Sequence, residues 1–370
     1  MGTCLVFKLP HVLKPIPGFS LRSMARVRFM LVKMGRNLKL VKELMRLPNK
    51  VLILIHLHSM SIIVWNSRGV LNPNFQKHVG ELTRIHDPAV FVVTETRFDG
   101  ERAKGITDRL PFDGAIHMET IGYSGGLWVL WNSDKVEVTQ MANTNSRLEE
   151  RTILWNNLAT VAESHNLPWV IARDFNEPLN FNDKFGGREI SITRSLLFKE
   201  CLDKCNMIDL GFLGPRFTWT NLREVDALIQ ERIDRVFVNP EWFSLFPEAK
   251  ITHLTWCHSD HCPVLLETQP RSSTFLKRPF KFQSFWVSDP SFPNVVTNAW
   301  RNLALLPMAI ESFAKGAATW NRSHFGNIFV KKKKLMSRLN GIQQALASRP
   351  SIFLVELEKK LLLDLDLALV

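Results

Sequence analysis

Short runs of apolar, β-forming residues recur through the middle of the chain, with amphipathic helical patterns between several of them. The stretch 61–69 predicts a buried strand that ends in Asn66 and Arg68, and apolar residues from Phe75 to Ile85 then recur at helical spacing. Asp87-Pro88 ends that helix, and the apolar run 90–94 predicts the next buried strand. A strand–helix–strand order predicts a parallel, right-handed unit.

The same reading continues through residue 267. It predicts a strand at 125–132 with residues 135–138 as its hairpin partner, and helices at 149–166 and 192–205. It also predicts a buried strand in the stretch 169–178, whose apolar run is 169–172, and strands at 217–221, 231–238 and 264–267. On the second helix, Cys201 and Cys205 lie one turn apart, and this spacing favours core packing over a metal site. The order of elements predicts an α/β fold with buried strands.

Polar side chains stand where several of these apolar strands end. In α/β proteins the carboxyl ends of strands are where ligands bind. Asp174 and Asn176 are two positions apart and therefore share one face of a strand. Such a pair suits a metal-dependent nuclease, although an Asx-turn after a strand has the same pattern. The complete series of polar strand ends is Asn66, Glu95, Asp174, Asn176, Asp234, Asp260 and His261.

Charge adds a class of partner. The 370 residues include 47 Lys and Arg against 35 Asp and Glu, a formal net charge of +12. That balance favours an anionic partner, nucleic acid first. An odd number of cysteines, five, in a chain this long favours a reduced, intracellular protein. The apolar run 51–57 is too short to span a bilayer, so we expect no membrane partner.

Composition divides the chain into three segments. Residues 1–59 are basic, with Glu43 as the only acid before residue 50, and predict a poorly ordered extension; a transit peptide has the same composition. Residues 60–270 form the expected α/β domain. Residues 271–370 predict a linker and helical tail. In that tail, Lys331–Lys334 forms either a solvated face or a nucleic-acid contact.

Seven motifs in order resemble the endonuclease/exonuclease/phosphatase superfamily over residues 61–268. The likeness is strongest to the endonuclease domain of plant LINE-type non-LTR retrotransposons. The motifs are WNSRG at 65–69, TETRF at 94–98, GGLWVLW at 125–131, DFNEP at 174–178, FTWTN at 217–221, RIDRVFV at 232–238 and SDHCPVLLE at 259–267.

The resemblance implies a four-layer sandwich of two mixed β-sheets flanked by helices, followed here by a helical C-terminal appendage. It also implies a divalent metal, Mg²⁺ or Mn²⁺, held by Glu95 and Asp260. Carboxylate oxygens are the ligands that such hard cations prefer. Asn66 and Asn176 would hold the scissile phosphate and the metal-bound water.

The resemblance assigns the proton chemistry to three further residues. Asp174 would orient or deprotonate the attacking water. His261 would bind or protonate a phosphoryl oxygen, with Asp234 fixing the tautomer of its imidazole. In the family this domain nicks DNA, which implies DNA as the partner and the nucleus as the location. No motif after Arg271 resembles a reverse transcriptase, so the chain reads as a truncated, element-derived copy.

Two departures from the family pattern predict impaired turnover. Members carry a strand with a catalytic Tyr before the DFNEP region, whereas here 143–146 runs almost directly into the helix at 147–150. Tyr123, the one Tyr in the chain, lies in a glycine turn instead. The second departure is Arg173, where members carry Gly. An unpaired guanidinium on a packed face would cost several kcal/mol, whereas on an open face it would lie near the DNA.

Two other functions fit the same sequence. A non-catalytic nucleic-acid-binding relic would share the basic charge, and its polar strand ends would fail to converge. Another phosphodiesterase of the superfamily, such as an abasic-site nuclease, would share the motifs but prefer damaged DNA.

Overall fold

The computed structural model describes residues 4–8, 50–54 and 60–367, apart from the segments 119–124, 141–154, 164–166, 270–279, 302–305 and 325–327 and several single or paired positions. Tyr123, the stretch 143–146 and most of the predicted helix 149–166 lie outside the described residues.

The described strands are β1 (Cys4–Lys8), β2 (Lys50–Leu54), β3 (Ser61–Asn66), β4 (Val90–Thr94), β5 (Gly114–Met118), β6 (Leu127–Trp131), β7 (Thr139–Gln140), β8 (Trp169–Asp174), β9 (Lys184–Phe185), β10 (Ile208–Asp209), β11 (Trp219–Thr220), β12 (Gln230–Glu231), β13 (Asp234–Val238), β14 (Lys250–His253) and β15 (Val264–Glu267). The described helices are α1 (Asn74–His86), α2 (Gly100–Thr107), α3 (Ile192–Lys204), α4 (Pro240–Leu245), α5 (Phe292–Trp300), α6 (Leu306–His324), α7 (Ile328–Ser348) and α8 (Ile352–Leu367).

One six-stranded sheet has the order β14-β15-β3-β4-β6-β5. The β3 and β4 strands are parallel and α1 connects them, which confirms the predicted unit. The predicted hairpin partner of β6, residues 135–138, is wrong. β6 instead pairs with β4 and with β5, a strand that the sequence pattern did not reveal. A Cβ on Gly114 would come within 2.1 Å of the Trp131 ring, so this strand begins with the one residue that fits there.

A second six-stranded sheet has the order β10-β13-β8-β1-β2-β7. On one side, β8 pairs antiparallel with β13. On the other side it pairs antiparallel with β1, with Leu5 opposite Ala172. The N-terminal segment thus contributes two strands to this sheet, because β1 pairs with β8 and β2 pairs with β1.

The two sheets pack face to face. Buried valines of one sheet, Val64 and Val92, share a core cluster with Ala172 and Val236 of the other. The outer face of the first sheet is covered by α1, and that of the second by α3 with its buried Phe198. Full burial of each large apolar side chain contributes about 1.5–3 kcal/mol. This mixed α/β architecture confirms the predicted fold class, and Cys201 and Cys205 are buried in the core under α3, as predicted.

The predicted strands at 217–221 and 231–238 are shorter than expected. The strands β11 and β12 form a small three-stranded sheet with β9. The strand β13 begins only at Asp234. The ladder is interrupted because the Arg232 N–H donates to the Asp183 carbonyl and the Ile233 N–H donates to Thr218 Oγ1. A side-chain hydroxyl has replaced a strand partner at this point.

The chain forms two compact units. The first comprises 1–270 together with 339–360, and the second comprises 271–338 together with 361–370. The second unit has an aromatic core around Trp286 and Phe292. The helical pattern predicted for the C-terminal region is confirmed by α5 to α8. Within the described residues no helix is long and apolar enough to cross a bilayer.

Candidate active site

Asp174 and Asp234 face each other at the ends of β8 and β13. The register of the two strands places them directly opposite, and each is 6 % exposed. Like charges in such a cross-strand pair repel. Their closeness therefore requires a cation or a proton between them.

His261 supplies that positive group. Its Nδ1 lies 2.8 Å from Asp234 Oδ2, and its Nε2 lies 3.9 Å from Asp174 Oδ2. The ring is 1 % exposed, and the Trp65 indole N–H donates to the His261 carbonyl at 3.2 Å. We call Asp174, Asp234 and His261 the buried triad; their ligand atoms all lie within 4.8 Å of one another.

The electrostatics of the buried triad follow from this geometry. Burial alone would lower the pKa of His261, but the charge of Asp234 and its hydrogen bond, with Asp174 and Asp260 beyond, raise that pKa to about 9. Burial and the neighbouring Asp234 charge raise the pKa of Asp174. At neutral pH the imidazole is therefore a cation that holds two carboxylates together.

The two predicted amides occupy different places. Asn66 is buried, and its Nδ2 lies 3.3 Å from both Asp174 Oδ2 and His261 Nε2. Its Oδ1 accepts from the Arg68 N–H, so the amide nitrogen is the donor, and its acceptor in the buried triad is Asp174 Oδ2. Asn176 is exposed, and it contacts the triad through its backbone, whose N–H donates to Asp174 Oδ1 at 2.9 Å.

The predicted metal ligands, Glu95 and Asp260, form an acidic pair beside the triad. Arg68 joins them: its Nη1 lies 3.5 Å from Glu95 Oε2, and its Nε donates to Asp260 Oδ1 at 3.0 Å. The Trp219 indole N–H donates to the other Asp260 oxygen at 2.9 Å. Both carboxylates are partly exposed, so a solvated cation could reach them.

Three residues of the site have left-handed backbone conformations. Arg68 has φ +54°, Glu95 +53° and Asn176 +51°. A non-glycine residue rarely adopts this region, and such strain is concentrated at functional sites. Each of the three follows the end of a strand by one or two positions, β3 for Arg68, β4 for Glu95 and β8 for Asn176.

Sequence reasoning missed several residues that hold the site together. Arg68 and Ser259 stand inside quoted motifs, WNSRG and SDHCP, and Ser259 Oγ donates to the Asn66 carbonyl at 2.8 Å. Thr218 Oγ1 accepts from the Asp234 N–H at 2.9 Å, and Trp219 binds Asp260. The only sequence signal for these four residues was that each lies inside one of the family motifs.

Arg173 lies on a packed face, 7 % exposed, which decides between the two environments considered for it. Its Nε donates to the Asp174 carbonyl at 3.1 Å, and in the strand register it stands opposite Arg235. Arg235 in turn contacts Asp183 and Asp209. The strand register thus places opposite Arg173 a second arginine that has two acidic partners of its own.

The donor chemistry of the site fits a divalent cation. The acidic pair offers carboxylate oxygens that already converge on one guanidinium, as hard cations require. The buried triad offers two carboxylates and an imidazole as a second group of metal-binding side chains. His261 would have to lose a proton to act as a ligand there.

Comparison with known proteins gives a family and several fold neighbours. Residues 63–261, more than half of the chain, match the family described as Endonuclease/Exonuclease/phosphatase family. No curated protein matches the chain.

Among solved structures, the AP endonuclease LMAP from Leishmania major is similar at 13% identity and a TM-score of 0.43, covering 57% of this chain and 88% of its own. The endonuclease domain of TRAS1, a telomere-specific non-LTR retrotransposon, is similar at 12% identity and a TM-score of 0.41, covering 58% of this chain and 100% of its own. The 3'-5' exonuclease NExo from Neisseria meningitidis is similar at 16% identity and a TM-score of 0.40, covering 57% of this chain and 100% of its own.

The family match runs from Ile63 in β3 to His261 and so includes every residue of the buried triad and the acidic pair. The chain belongs to the Endonuclease/Exonuclease/phosphatase family.

Proposed function

We propose that this protein is a retrotransposon-derived, metal-dependent phosphodiesterase that nicks DNA. The observation that carries the proposal is the buried contact set of Asn66, Asp174, Asp234 and His261, with the acidic pair next to it. A relic without function would have no reason to keep two buried carboxylates and a buried imidazole, since each costs free energy to bury.

The acidic pair would hold the cation, Mg²⁺ or Mn²⁺. When bound, the cation would supply Lewis acidity toward a phosphoryl oxygen and lower the pKa of a coordinated water. Metal entry would require Arg68 to release the two carboxylates, after which its guanidinium, being planar and always charged, is suited to a phosphate oxygen.

The buried triad would carry the proton chemistry. Asp174, with a pKa raised by burial, is a stronger base than an exposed carboxylate and can accept the proton of the attacking water. Protonated His261 would offset the negative charge that builds on the phosphoryl oxygens. Asp234 would keep the imidazole charged and oriented, and the Asn66 amide would donate to Asp174 or to the phosphate.

DNA is the proposed substrate because the chain is strongly basic and the motifs resemble retrotransposon endonucleases. Action on chromosomal DNA would place the protein in the nucleus. The plant LINE origin rests on the WNSRG, TETRF and FTWTN variants of the family motifs.

We further propose that turnover is slow compared with that of family members that have a tyrosine in the site. The one tyrosine of this chain, Tyr123, lies in a glycine turn of the sequence. The strand that carries the catalytic tyrosine in family members therefore supplies no phenolic hydroxyl here to position the phosphate. Loss of one positioned donor to a developing oxyanion costs about 10²–10³ in rate.

The test is conversion of supercoiled plasmid to open circles by the full chain, with Mg²⁺ or Mn²⁺ and with an EDTA control. Metal-dependent nicking that is lost in Asp174→Ala supports the proposal. A parallel assay on short duplexes with and without an abasic site distinguishes the reactions: strong preference for the abasic duplex would identify an abasic-site nuclease. DNA binding by a folded protein that never nicks would identify the non-catalytic alternative.

A further inference from the structure

The C-terminal helices contact the loop that carries His261. Residues 339–360 belong to the same compact unit as residues 1–270. In that unit, the second half of α7 packs against the segment 256–262, which leads into β15 and contains Asp260 and His261. The apolar cluster between them comprises Phe217, Trp256, Cys262 and Ala347, with Phe185 against its edge.

Gln343 of α7 makes a two-point contact with the backbone of Trp256. Its Oε1 accepts from the Trp256 N–H at 3.0 Å, and its Nε2 donates to the Trp256 carbonyl at 3.3 Å. The same Nε2 also donates to Glu358 Oε1 of α8 at 2.9 Å. Gln343 is 0 % exposed. A buried amide is costly unless it is hydrogen-bonded, and this one has a partner for its oxygen and two for its nitrogen.

A short path connects Trp256 to the buried triad. The Trp256 indole N–H donates to the Thr218 carbonyl at 3.1 Å, and the Cys262 N–H donates to the same carbonyl at 2.9 Å. The hydroxyl of Thr218 accepts from the Asp234 N–H. Thr218 therefore joins both ends of the 256–262 segment to the strand that carries Asp234.

We propose that Gln343 is a positioning residue for the active site. It fixes the 256–262 segment at its first residue and thereby holds His261 against Asp234. The inference deepens the proposed function and rests on it for its kinetic part. Gln343 itself touches none of the reacting groups, so its effect acts through the backbone of Trp256.

The test compares three variants of the full chain. Gln343→Met keeps the length and nearly the volume of the side chain but removes all three hydrogen bonds, whereas Gln343→Ala also removes packing. Gln344→Ala is the matched control, because Gln344 is the next residue of the same helix and its side chain is exposed. We expect Gln343→Met to lower kcat for plasmid nicking about ten- to hundredfold with KM unchanged, since small displacements of a reacting group have effects of this size.

Hydrogen exchange followed by mass spectrometry locates the effect. In Gln343→Met, exchange should accelerate in 256–262 and stay unchanged in the central strand β4, whereas Gln344→Ala should match the wild type in both. Faster exchange throughout the domain with kcat and KM changed together would indicate general destabilisation and overturn the proposal. So would faster exchange in 256–262 with kcat unchanged, or no change in exchange at all.

Two adverse outcomes each leave a measurement of positioning. If Gln343→Ala does not fold, Gln343→Met carries the test, because it preserves packing. If the wild type does not nick, the proposed function fails, and positioning is then measured from the downfield proton resonance of the His261–Asp234 hydrogen bond. Loss of that resonance in Gln343→Met supports a positioning role, and its persistence overturns it.

Discussion

Replacing Asp234 by Asn tests the charge arrangement of the buried triad. The substitution keeps the size of the side chain and removes the carboxylate that lies 2.8 Å from His261 Nδ1. Without it, burial dominates the environment of the imidazole, so the pKa of His261 should fall from about 9 to below its ordinary value of 6.5.

The magnitude follows from linkage. A folded-state pKa of about 9 against 6.5 in the unfolded chain stabilises the protein by about 3 kcal/mol at pH values below 6.5. The folded protein keeps its proton to higher pH than the unfolded chain does. This stabilisation is therefore lost as pH rises from 6.5 through 9. In Asp234→Asn that loss should vanish, because the ring is then neutral in the folded state.

Two assays check the prediction. Urea unfolding between pH 6 and pH 9.5 should show a fall of about 3 kcal/mol in the wild type that is absent from Asp234→Asn. Plasmid nicking at pH 7 should fall by about 10²–10⁴, the usual contribution of a positioned acid or base. Asp226→Asn, which changes an exposed carboxylate, is the control for both. Unchanged nicking together with an unchanged pH dependence of stability would refute the reasoning.

Three further predictions concern other parts of the molecule. Asp183→Asn should lower the free energy of unfolding by about 3–5 kcal/mol in urea titrations, because it leaves the buried Arg235 without one of its carboxylates; a change below 1 kcal/mol would contradict this. Burial lowers the pKa values of His78 and His253 to about 3, so below pH 6.5 the unfolded chain takes up protons that the folded protein does not. Lowering the pH from 6.5 to 5 should therefore reduce the free energy of unfolding by about 2 kcal/mol for each histidine, which is measured as a falling Tm. Arg68→Ala should tighten Mn²⁺ binding in calorimetry by up to about fivefold, since the partly exposed bridge to the acidic pair is worth at most about 1 kcal/mol; weaker binding would mean that Arg68 assists the metal instead.

The strands that the sequence predicted well are those buried on both faces. A continuous apolar run such as that of β4 or β8 has few alternatives, and its polar end marks the site. β5 escaped prediction because its residues are mostly only half-buried and their pattern is weak. The division between β12 and β13 was not predicted, because it depends on the Ile233 N–H donating to the hydroxyl of Thr218 instead of to a neighbouring strand. Thr218 is distant in the sequence, so no local pattern reveals this hydrogen bond.

For the site, the rule that ligands bind at polar strand ends selected Asn66, Asp174, Asp234 and His261, and the structure places these four in contact. The contacts that it could not supply are those made by loops and by the C-terminal helices. A lone arginine after a strand is equally compatible with solvent, so the bridge by Arg68 was not predictable. Gln343 is a single polar residue in a long helix, and only tertiary structure reveals its partner.

The central claim is that the buried triad catalyses metal-dependent nicking. The most direct measurement is the rate at which the full chain converts supercoiled plasmid to open circles in Mn²⁺, compared with Asp174→Asn and with Asp203→Asn, whose carboxylate is exposed. We expect the wild type and Asp203→Asn to nick at equal rates, EDTA to abolish nicking, and Asp174→Asn to lose a factor of at least about 10² in rate. Equal nicking by all three proteins, or none by a folded wild type, would contradict it.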